Sequence, residues 1–244
     1  MLIRYKLKGL TFYEEWFAKD PCKDFLKLKV VRGSRVDKQC FGMIKKQLWT
    51  LETDLTLDKD DILKQFTSTI RNEINRAKKL ENLQININKT SIDEFLNFYN
   101  TKFAKQKKLN LLSKRQIEKF GDNIYTISAV FENELTNIQM YIFDSEQKIV
   151  RLLHSVSIIH LEKDKKRRNQ IGWINKYLHW RTILYFKEKG FKTFDWGGIG
   201  NDPNNKALVG IDKFKRSFGG QVVKVYDYYT LPFFILSKLR ELLK

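Results

Sequence analysis

A predicted strand, residues 148–159, carries polar side chains of the types that perform acid–base chemistry. They are Arg151, His154, Ser155 and Ser157. Because side chains alternate between the two faces of a strand, the two serines are predicted to share a face with Arg151, while His154 points to the other face. Histidine titrates near neutral pH and is well suited to act as a general base. A packed histidine without a chemical role is the alternative.

A basic segment, residues 162–169, follows this strand and is predicted to be a loop leading into a helix that begins near Gly172. Positive charge beside the free N–H groups of a helix start favours phosphate binding. The candidates for such a site are Arg168, Gln170 and Gly172. On the predicted helix, residues 173–189, Asn175 and His179 are four residues apart and share a face. A solvated surface loop is the alternative for the basic segment.

A buried strand is predicted over residues 191–196 and is expected to stop at the pair Gly197 and Gly198. Asp195 lies near its end, where α/β proteins tend to bind ligands. Its apolar neighbours would raise the pKa of the carboxyl and permit a base role, whereas hydrogen bonding to the glycine turn is the structural alternative. Lys215 stands among other cations on a short predicted helix that ends at Gly219.

The order of these motifs resembles the FemAB-like aminoacyltransferases and their BioF2/CelD-type acyltransferase relatives, which are variants of the GNAT fold. The resemblance spans residues 62–229 and rests on Arg71-x-x-Ile74-x-x-Ala77-Lys78, Asn175, Leu178-His179-Trp180, Asp195-Trp196-Gly197-Gly198, Gly210-Ile211 and Phe214-Lys215-x-x-Phe218-Gly219-Gly220. It implies an α+β, GNAT-like fold with a mixed, mostly antiparallel sheet flanked by helices. It also implies direct acyl transfer to an amine, without a metal or a covalent enzyme intermediate.

The same resemblance suggests roles for individual residues. Lys215 matches a lysine that faces the tRNA or substrate phosphate, and it would stabilise negative charge on the acyl carbonyl oxygen. Asp195 and His154 are the candidate bases. The donor would bind at Arg151, Ser155, Ser157, Arg168, Gln170, Gly172, Asn175 and His179. Tyr99 and Lys105 are candidates for the acceptor site because of their position near the first strand of the predicted meander, with an ordinary amphipathic helix as the alternative. Gly197 and Gly198 are the other acceptor candidates.

The donor stays open between acyl-CoA and aminoacyl-tRNA. The pyrophosphate-binding loop of GNAT enzymes has two glycines, and only Gly172, with Gln170, is in place here. The expected acceptor is an amine of a cell-envelope precursor, such as an amino sugar or a peptidoglycan peptide. Two non-catalytic alternatives are a scaffold on a degenerate GNAT fold and RNA binding by stacking on Tyr226, Tyr228 and Tyr229.

The remaining elements are predicted to alternate in the order of an α+β protein. Strands are predicted at 2–10, 25–31, 40–44, 47–55, 84–88, 123–133, 135–144 and 221–229, and further helices at 12–18, 58–80, 91–107 and 113–120. We expect a reduced N-terminal half over residues 1–89 and a full GNAT-like domain over residues 90–244.

Composition narrows the class of protein further. An aromatic content of 14% and a hydrophobic content of 42% suffice for a packed core. A net charge of +18 favours an anionic partner. Cys22 and Cys40 form no metal-binding motif, and both are expected to be free thiols in a reduced, cytoplasmic protein. Residues 226–239 are predicted to form an amphipathic helix that packs on the domain, with contact to the inner membrane surface as the second interpretation.

Overall fold

The computed structural model describes residues 1–200 and 206–242. Ten strands lie along this part of the chain: β1 (Leu2–Leu7), β2 (Leu10–Trp16), β3 (Leu28–Ser34), β4 (Met43–Asp54), β5 (Leu83–Ile87), β6 (Ile124–Phe131), β7 (Glu134–Asp144), β8 (Ile149–Ser157), β9 (Thr193–Ile199) and β10 (Gln221–Thr230). The helices are α1 (Lys59–Gln65), α2 (Ser68–Ala77), α3 (Ile92–Phe98), α4 (Lys105–Lys107), α5 (Lys114–Glu118), α6 (Lys165–Glu188), α7 (Lys206–Arg216) and α8 (Leu231–Leu242).

The strands form one ten-stranded sheet in the order β1-β2-β3-β10-β4-β9-β8-β7-β6-β5. Only the pairs β2–β3 and β8–β9 are parallel. Helices α2 and α6 pack against one face of the sheet, and α3 and α5 pack against the other. The predicted α+β class and the mostly antiparallel sheet flanked by helices are confirmed. The first 89 residues supply β1 to β4 on one side and β5 at the far edge, and the division near residue 89 stays a prediction.

The long helix α6 packs on the sheet and forms part of the larger hydrophobic core. Its residues Ile174, Leu178, Ile183 and Phe186 are fully buried against the sheet. The predicted loop over residues 162–169 is wrong, because the helix already begins at Lys165, where the Asp164 side chain accepts a hydrogen bond of 2.7 Å from the Arg167 N–H. Lys, Arg and Gln are good helix formers, so a capped basic segment extends the helix by two turns.

Several predicted boundaries need correction. Residues 12–18 do not form a helix. Most of them lie in strand β2, where the alternate side chains of Phe12, Glu14 and Trp16 are buried. The strands predicted at 40–44 and 47–55 are the single strand β4. The helix predicted at 58–80 is divided into α1 and α2, the second capped by the Thr67 side chain. The helix predicted at 91–107 is interrupted by a π-helical segment, Tyr99–Ala104, between α3 and α4.

Cys22 and Cys40 are joined in a disulfide, with a Cα–Cα distance of 5.0 Å. The expectation of two free thiols is therefore wrong. The loops on either side of β3 are brought together by contacts such as the 2.8 Å hydrogen bond from Ser34 Oγ to the Ala18 carbonyl. That proximity depends on the fold of the sheet and has no local signature in the sequence.

The C-terminal helix begins later than predicted, because Tyr226 to Thr230 complete strand β10. The helix, α8, packs against β3, β4 and β10. Within residues 1–200 and 206–242, no helix combines the length and apolar character needed to cross a membrane. The same described residues hold no group of three or more His, Cys, Asp or Glu side chains arranged to bind a metal ion.

Candidate active site

The candidate site lies where two parallel strands separate. β8 and β9 pair only over Ile149–Arg151 and Thr193–Asp195. Beyond Arg151, β8 continues beside β7, while β9 continues beside β4 as far as Ile199. The strand predicted to stop at the glycine pair therefore runs through Gly197 and Gly198. The separation leaves one edge of β8 without a strand partner, next to a cavity of about 740 Å³.

Most of the predicted site residues line this cavity. They are Tyr99, Arg151, His154, Ser155, Asn175, His179, Gly197, Gly198 and Lys215. These residues come from the π-helical segment after α3 and from β8, β9, α6 and α7, so the fold collects them from more than one hundred residues of sequence. Asp195 is fully buried beneath the cavity. The structure does not bring Lys105, Ser157, Arg168, Gln170 or Gly172 to its walls.

The predicted phosphate site at a helix start is misplaced. Arg168, Gln170 and Gly172 lie within α6, whose first turn is at Lys165. Backbone N–H groups inside a helix are already hydrogen-bonded and cannot hold an anion. Gly172 is instead a packing residue, since a Cβ there would lie 3.3 Å from Ile159 Cδ1.

The predicted distribution of side chains along β8 is also wrong. In the pairing with β7, Leu152 lies opposite Tyr141 but His154 lies opposite Met140, so Leu153 is an extra residue in a β-bulge. The bulge reverses the alternation. As a result, His154 shares a face with Arg151, while Ser155 points to the face covered by α6.

Asp195 is the centre of a buried ionic network. Its carboxylate accepts hydrogen bonds from Arg151 Nη1 at 2.7 Å, from the Gly197 N–H at 2.8 Å and from the Thr50 hydroxyl. Arg35 Nη2 lies 4.0 Å from Asp195 Oδ2 and also forms an ion pair with Glu52. Burial raises the pKa of Glu52, against the opposing effect of Arg35. A carboxylate with this many partners is suited to hold Arg151 and the glycine turn in place.

Lys215 reaches the cavity from α7. Its Nζ donates a hydrogen bond of 2.6 Å to the Gly198 carbonyl. Burial lowers its pKa to about 8, and repulsion from Arg151 acts in the same direction. Phe218 anchors the helix end, with its ring centroid 4.6 Å from that of Trp196. The site thus holds a lysine close to β9 that loses its proton at a lower pH than an ordinary lysine does.

Both histidines of the cavity are neutral at pH 7. Burial lowers the pKa of His154 to about 4, and its ring packs against Phe95 and Tyr99 with centroid distances of 5.8 and 5.3 Å. Burial also lowers the pKa of His179 to about 3, helped by nearby lysines. His179 Nε2 lies 3.5 Å from Ser155 Oγ.

Two buried polar atoms of the cavity residues lack partners among the described residues. They are Nδ1 of His179 and Oδ1 of Asn175. Buried polar groups in folded proteins are nearly always hydrogen-bonded, so atoms of this kind mark capacity for a ligand or for water. The predicted shared face of Asn175 and His179 is therefore turned toward the cavity.

Several residues of the site were not found by sequence reasoning. Trp16 and Phe103 line the cavity, while Arg35, Thr50 and Glu52 belong to the ionic network beneath it. The alternation of Phe12, Glu14 and Trp16 was the available signal for Trp16. Thr50 and Glu52 have no motif, because they reach the site only through the pairing of β4 with β9. Arg35, after β3, and Phe103, in the π-helical segment, likewise reach it only through the tertiary fold.

A second cavity, of about 350 Å³, adjoins the first on the sheet face opposite α6. The two cavities share Trp16, Arg151, Leu153 and His154. The second is also lined by two partly buried ion pairs, Arg32–Asp227 with an Nη1–Oδ2 distance of 2.8 Å, and Lys119–Glu14. Two compartments therefore meet at Arg151 and His154.

Comparisons with known proteins define the fold. No family model matches the sequence, and no curated protein matches it. The structure is similar to the crystal structure of FemX, with a TM-score of 0.67, 12% identity, and coverage of 98% of this chain and 85% of that one. It is also similar to the C-terminal domain of a putative lysylphosphatidylglycerol synthetase from Agrobacterium fabrum, with a TM-score of 0.59, 10% identity and coverage of 94% and 79%.

A third similar structure is L-PGS from Bacillus licheniformis, with a TM-score of 0.58, 14% identity, and coverage of 94% of this chain and 80% of that one. At these identities the likeness establishes the fold. The chain has the fold of FemX and of these synthetase domains, so the predicted resemblance to FemAB-like proteins is confirmed at the level of the fold. Its BioF2/CelD part stays a prediction.

Proposed function

We propose that this protein transfers an acyl or aminoacyl group from acyl-CoA or aminoacyl-tRNA to an amine of a cell-envelope precursor, an amino sugar or a peptidoglycan peptide. The observation that carries the proposal is the separation of β8 from β9 above Arg151 and Asp195. It exposes a strand edge to a cavity whose 740 Å³ is within the range of small-molecule sites. A donor with amide groups would add to that edge by backbone hydrogen bonds.

The charge of the cavity supports an anionic donor. Arg151 and Lys215 both line it, and the chain carries a net charge of +18. Ammonium and guanidinium groups stabilise the negative charge that develops on an acyl oxygen during nucleophilic attack. The names of the structural neighbours favour the aminoacyl form of the reaction, because one of them is a putative lysylphosphatidylglycerol synthetase.

The proposed reaction is a direct displacement. The amine nitrogen attacks the carbonyl carbon of the donor, a C–N bond forms, and the carbonyl oxygen becomes an oxyanion beside Lys215. The intermediate then collapses and expels the thiolate of coenzyme A or the ribose oxygen of tRNA, and that oxygen leaves as a hydroxyl by taking up the proton removed from the nitrogen. The nitrogen loses a proton in this process. His154 is neutral at pH 7 and is the proposed acceptor of that proton.

The acceptor amine is proposed to enter through the second cavity. That cavity meets the first at His154 and Arg151, so an amine there would approach the donor from the opposite face of the sheet. Its two ion pairs, Arg32–Asp227 and Lys119–Glu14, offer charges of both signs. They would suit an acceptor that carries an ammonium group together with a phosphate or a carboxylate.

The RNA-binding alternative receives less support than transfer does. Tyr226 and Tyr228 are buried, and their hydroxyls donate hydrogen bonds to Asp37 and to the Val36 carbonyl. Tyrosines held in this way cannot stack on bases. The scaffold alternative stays open to experiment.

The test is a transfer assay with two labelled donors. Acetyl-CoA and lysyl-tRNA would each be incubated with the protein and with amino-sugar nucleotides or peptidoglycan peptides, and amide products would be detected by mass spectrometry. We expect a product with one donor class and a loss of about 100-fold in Lys215→Met. The matched control is Lys213→Met, which removes an exposed lysine from the same helix. Absence of both transfer and donor binding would refute the proposal.

A further inference from the structure

The outer face of α8 carries an apolar stripe that no described part of the chain covers. The stripe consists of Leu231, Ile235, Leu239 and Leu242, all of them exposed. At 3.6 residues per turn these four side chains fall within an arc of about 80°. The opposite side of the helix makes the contacts with the sheet, where Phe233 packs edge-on against Phe12 with a centroid distance of 6.2 Å. The stripe is therefore separate from the packing face of the helix.

Two loops extend this apolar surface. Phe41 is 85% exposed and Leu26 is 77% exposed. The Leu231 N–H donates a 2.9 Å hydrogen bond to the Gly42 carbonyl, which places the Phe41 loop beside the first turn of α8. Phe25 connects the two loops, because its ring packs against Phe41 at 5.4 Å. The stripe and these loops together are called the apolar face.

The disulfide holds the apolar face together. Cys22 and Cys40 join the segments that carry Leu26 and Phe41, and both sulfur-bearing residues pack beside buried Tyr226 and Tyr228. Large apolar side chains on braced loops are costly to leave in water, and contiguous patches of this kind mark interaction sites. Because the disulfide holds the two loops together, the exposure of Leu26 and Phe41 is a property of the folded protein.

The charge around the apolar face identifies the partner. Residues 19–46, which contain both loops, carry five exposed lysines against two exposed aspartates, Asp24 and Asp37. The lysines are Lys19, Lys23, Lys27, Lys38 and Lys46. On α8 itself, Lys238 borders the stripe. A protein partner would need a large acidic surface as well as an apolar one. An anionic bilayer offers both over an unlimited area.

We infer that the apolar face docks onto the surface of an anionic phospholipid bilayer, with α8 lying in the plane of the interface. Ile235, Leu239 and Phe41 would enter the boundary between headgroups and acyl chains, while the exposed lysines of residues 19–46 would contact lipid phosphates. This binding does not depend on the proposed transferase activity, because none of these side chains lines either cavity of the candidate site.

The test is flotation of the full chain with vesicles. Vesicles of phosphatidylcholine alone would be compared with vesicles containing phosphatidylglycerol, at low and at high salt. We expect flotation with phosphatidylglycerol vesicles, and a fall of about tenfold in the partition coefficient for Ile235→Glu. The matched control is Val222→Glu, which introduces the same charge at an exposed residue at the far end of β10. This control is expected to lower partitioning by less than about threefold.

Three results would overturn the inference. Equal flotation with neutral and anionic vesicles would remove the role of charge. Equal loss of binding in Ile235→Glu and Val222→Glu would show adsorption driven by net charge alone. A dimer in analytical ultracentrifugation that Ile235→Glu dissociates would show that the stripe joins two copies of the chain.

Discussion

Replacing Lys215 with methionine tests whether the positive charge of Lys215 lowers the free energy of unfolding. Burial and repulsion from Arg151 lower the pKa of Lys215 to about 8 from its ordinary value of 10.5. Below pH 8 the protonated side chain then costs the folded state about 3 kcal/mol relative to the unfolded chain. Methionine keeps the length of the side chain and removes the charge. Loss of the hydrogen bond to the Gly198 carbonyl offsets about 1 kcal/mol of the gain.

The variant should therefore be more stable than the wild type by about 1–2 kcal/mol near pH 7. Between about pH 8 and pH 10.5 the unfolded wild type binds more protons than the folded wild type, so its stability rises with pH. The advantage of Lys215→Met should shrink by about 2 kcal/mol between pH 7 and pH 9.5. Urea denaturation followed by tryptophan fluorescence at the two pH values measures both differences.

The pH dependence is the decisive part of this prediction. Lys213→Met serves as the control, because it removes an exposed lysine of the same helix and changes the net charge equally. A difference in free energy of unfolding that is the same at pH 7 and pH 9.5 would refute the account of Lys215. A trend shared by both variants would assign the effect to net charge.

Three further predictions concern the same site. Asp195→Asn leaves buried arginine charge without its partner and should lower the free energy of unfolding by about 3 kcal/mol in urea titrations; a loss below about 1 kcal/mol would contradict the ionic network. Gly197→Ala places a Cβ at φ +79° and should cost about 1–2 kcal/mol, whereas Gly210→Ala, where a Cβ meets nothing within 4 Å, should be neutral or stabilising in thermal unfolding. The value of kcat/KM should rise with pH as His154 loses its proton near pH 4, and it should fall as Lys215 loses its proton near pH 8. In Lys215→Arg the guanidinium stays charged, so the fall near pH 8 should disappear. A fall that is unchanged in Lys215→Arg would show that Lys215 does not cause it.

The sequence was sufficient for the elements whose signals are local. The meander β6–β7–β8 follows from apolar alternation and turn residues, and α6 follows from the period of its apolar residues. The start of α6 is harder to predict, because a run of basic residues resembles a solvated loop, although an aspartate at its beginning can cap a helix. The Asp164 side chain performs that role.

The parts of the site that sequence reasoning missed depend on tertiary pairing. The bulge at Leu153 is imposed by the register with β7, and it moves His154 to the face of Arg151. Glu52 lies opposite Asp195 because β4 pairs with β9, about 140 residues later in the chain, and Arg35 reaches both carboxylates from the segment that follows β3. No spacing between these residues encodes the contact.

The most direct test of the central claim is donor binding in the cavity between β8 and β9. Thermal unfolding would be measured with acetyl-CoA, coenzyme A and deacylated tRNA, for the wild type, for Ser155→Trp, which fills the cavity, and for Ser157→Trp on the same strand outside it. A ligand at about 100 times its Kd adds about 2.7 kcal/mol of stability. We predict this stabilisation by one donor class in the wild type and in Ser157→Trp, and its loss in Ser155→Trp. Stabilisation by none of the ligands, or stabilisation that persists in Ser155→Trp, would contradict the claim.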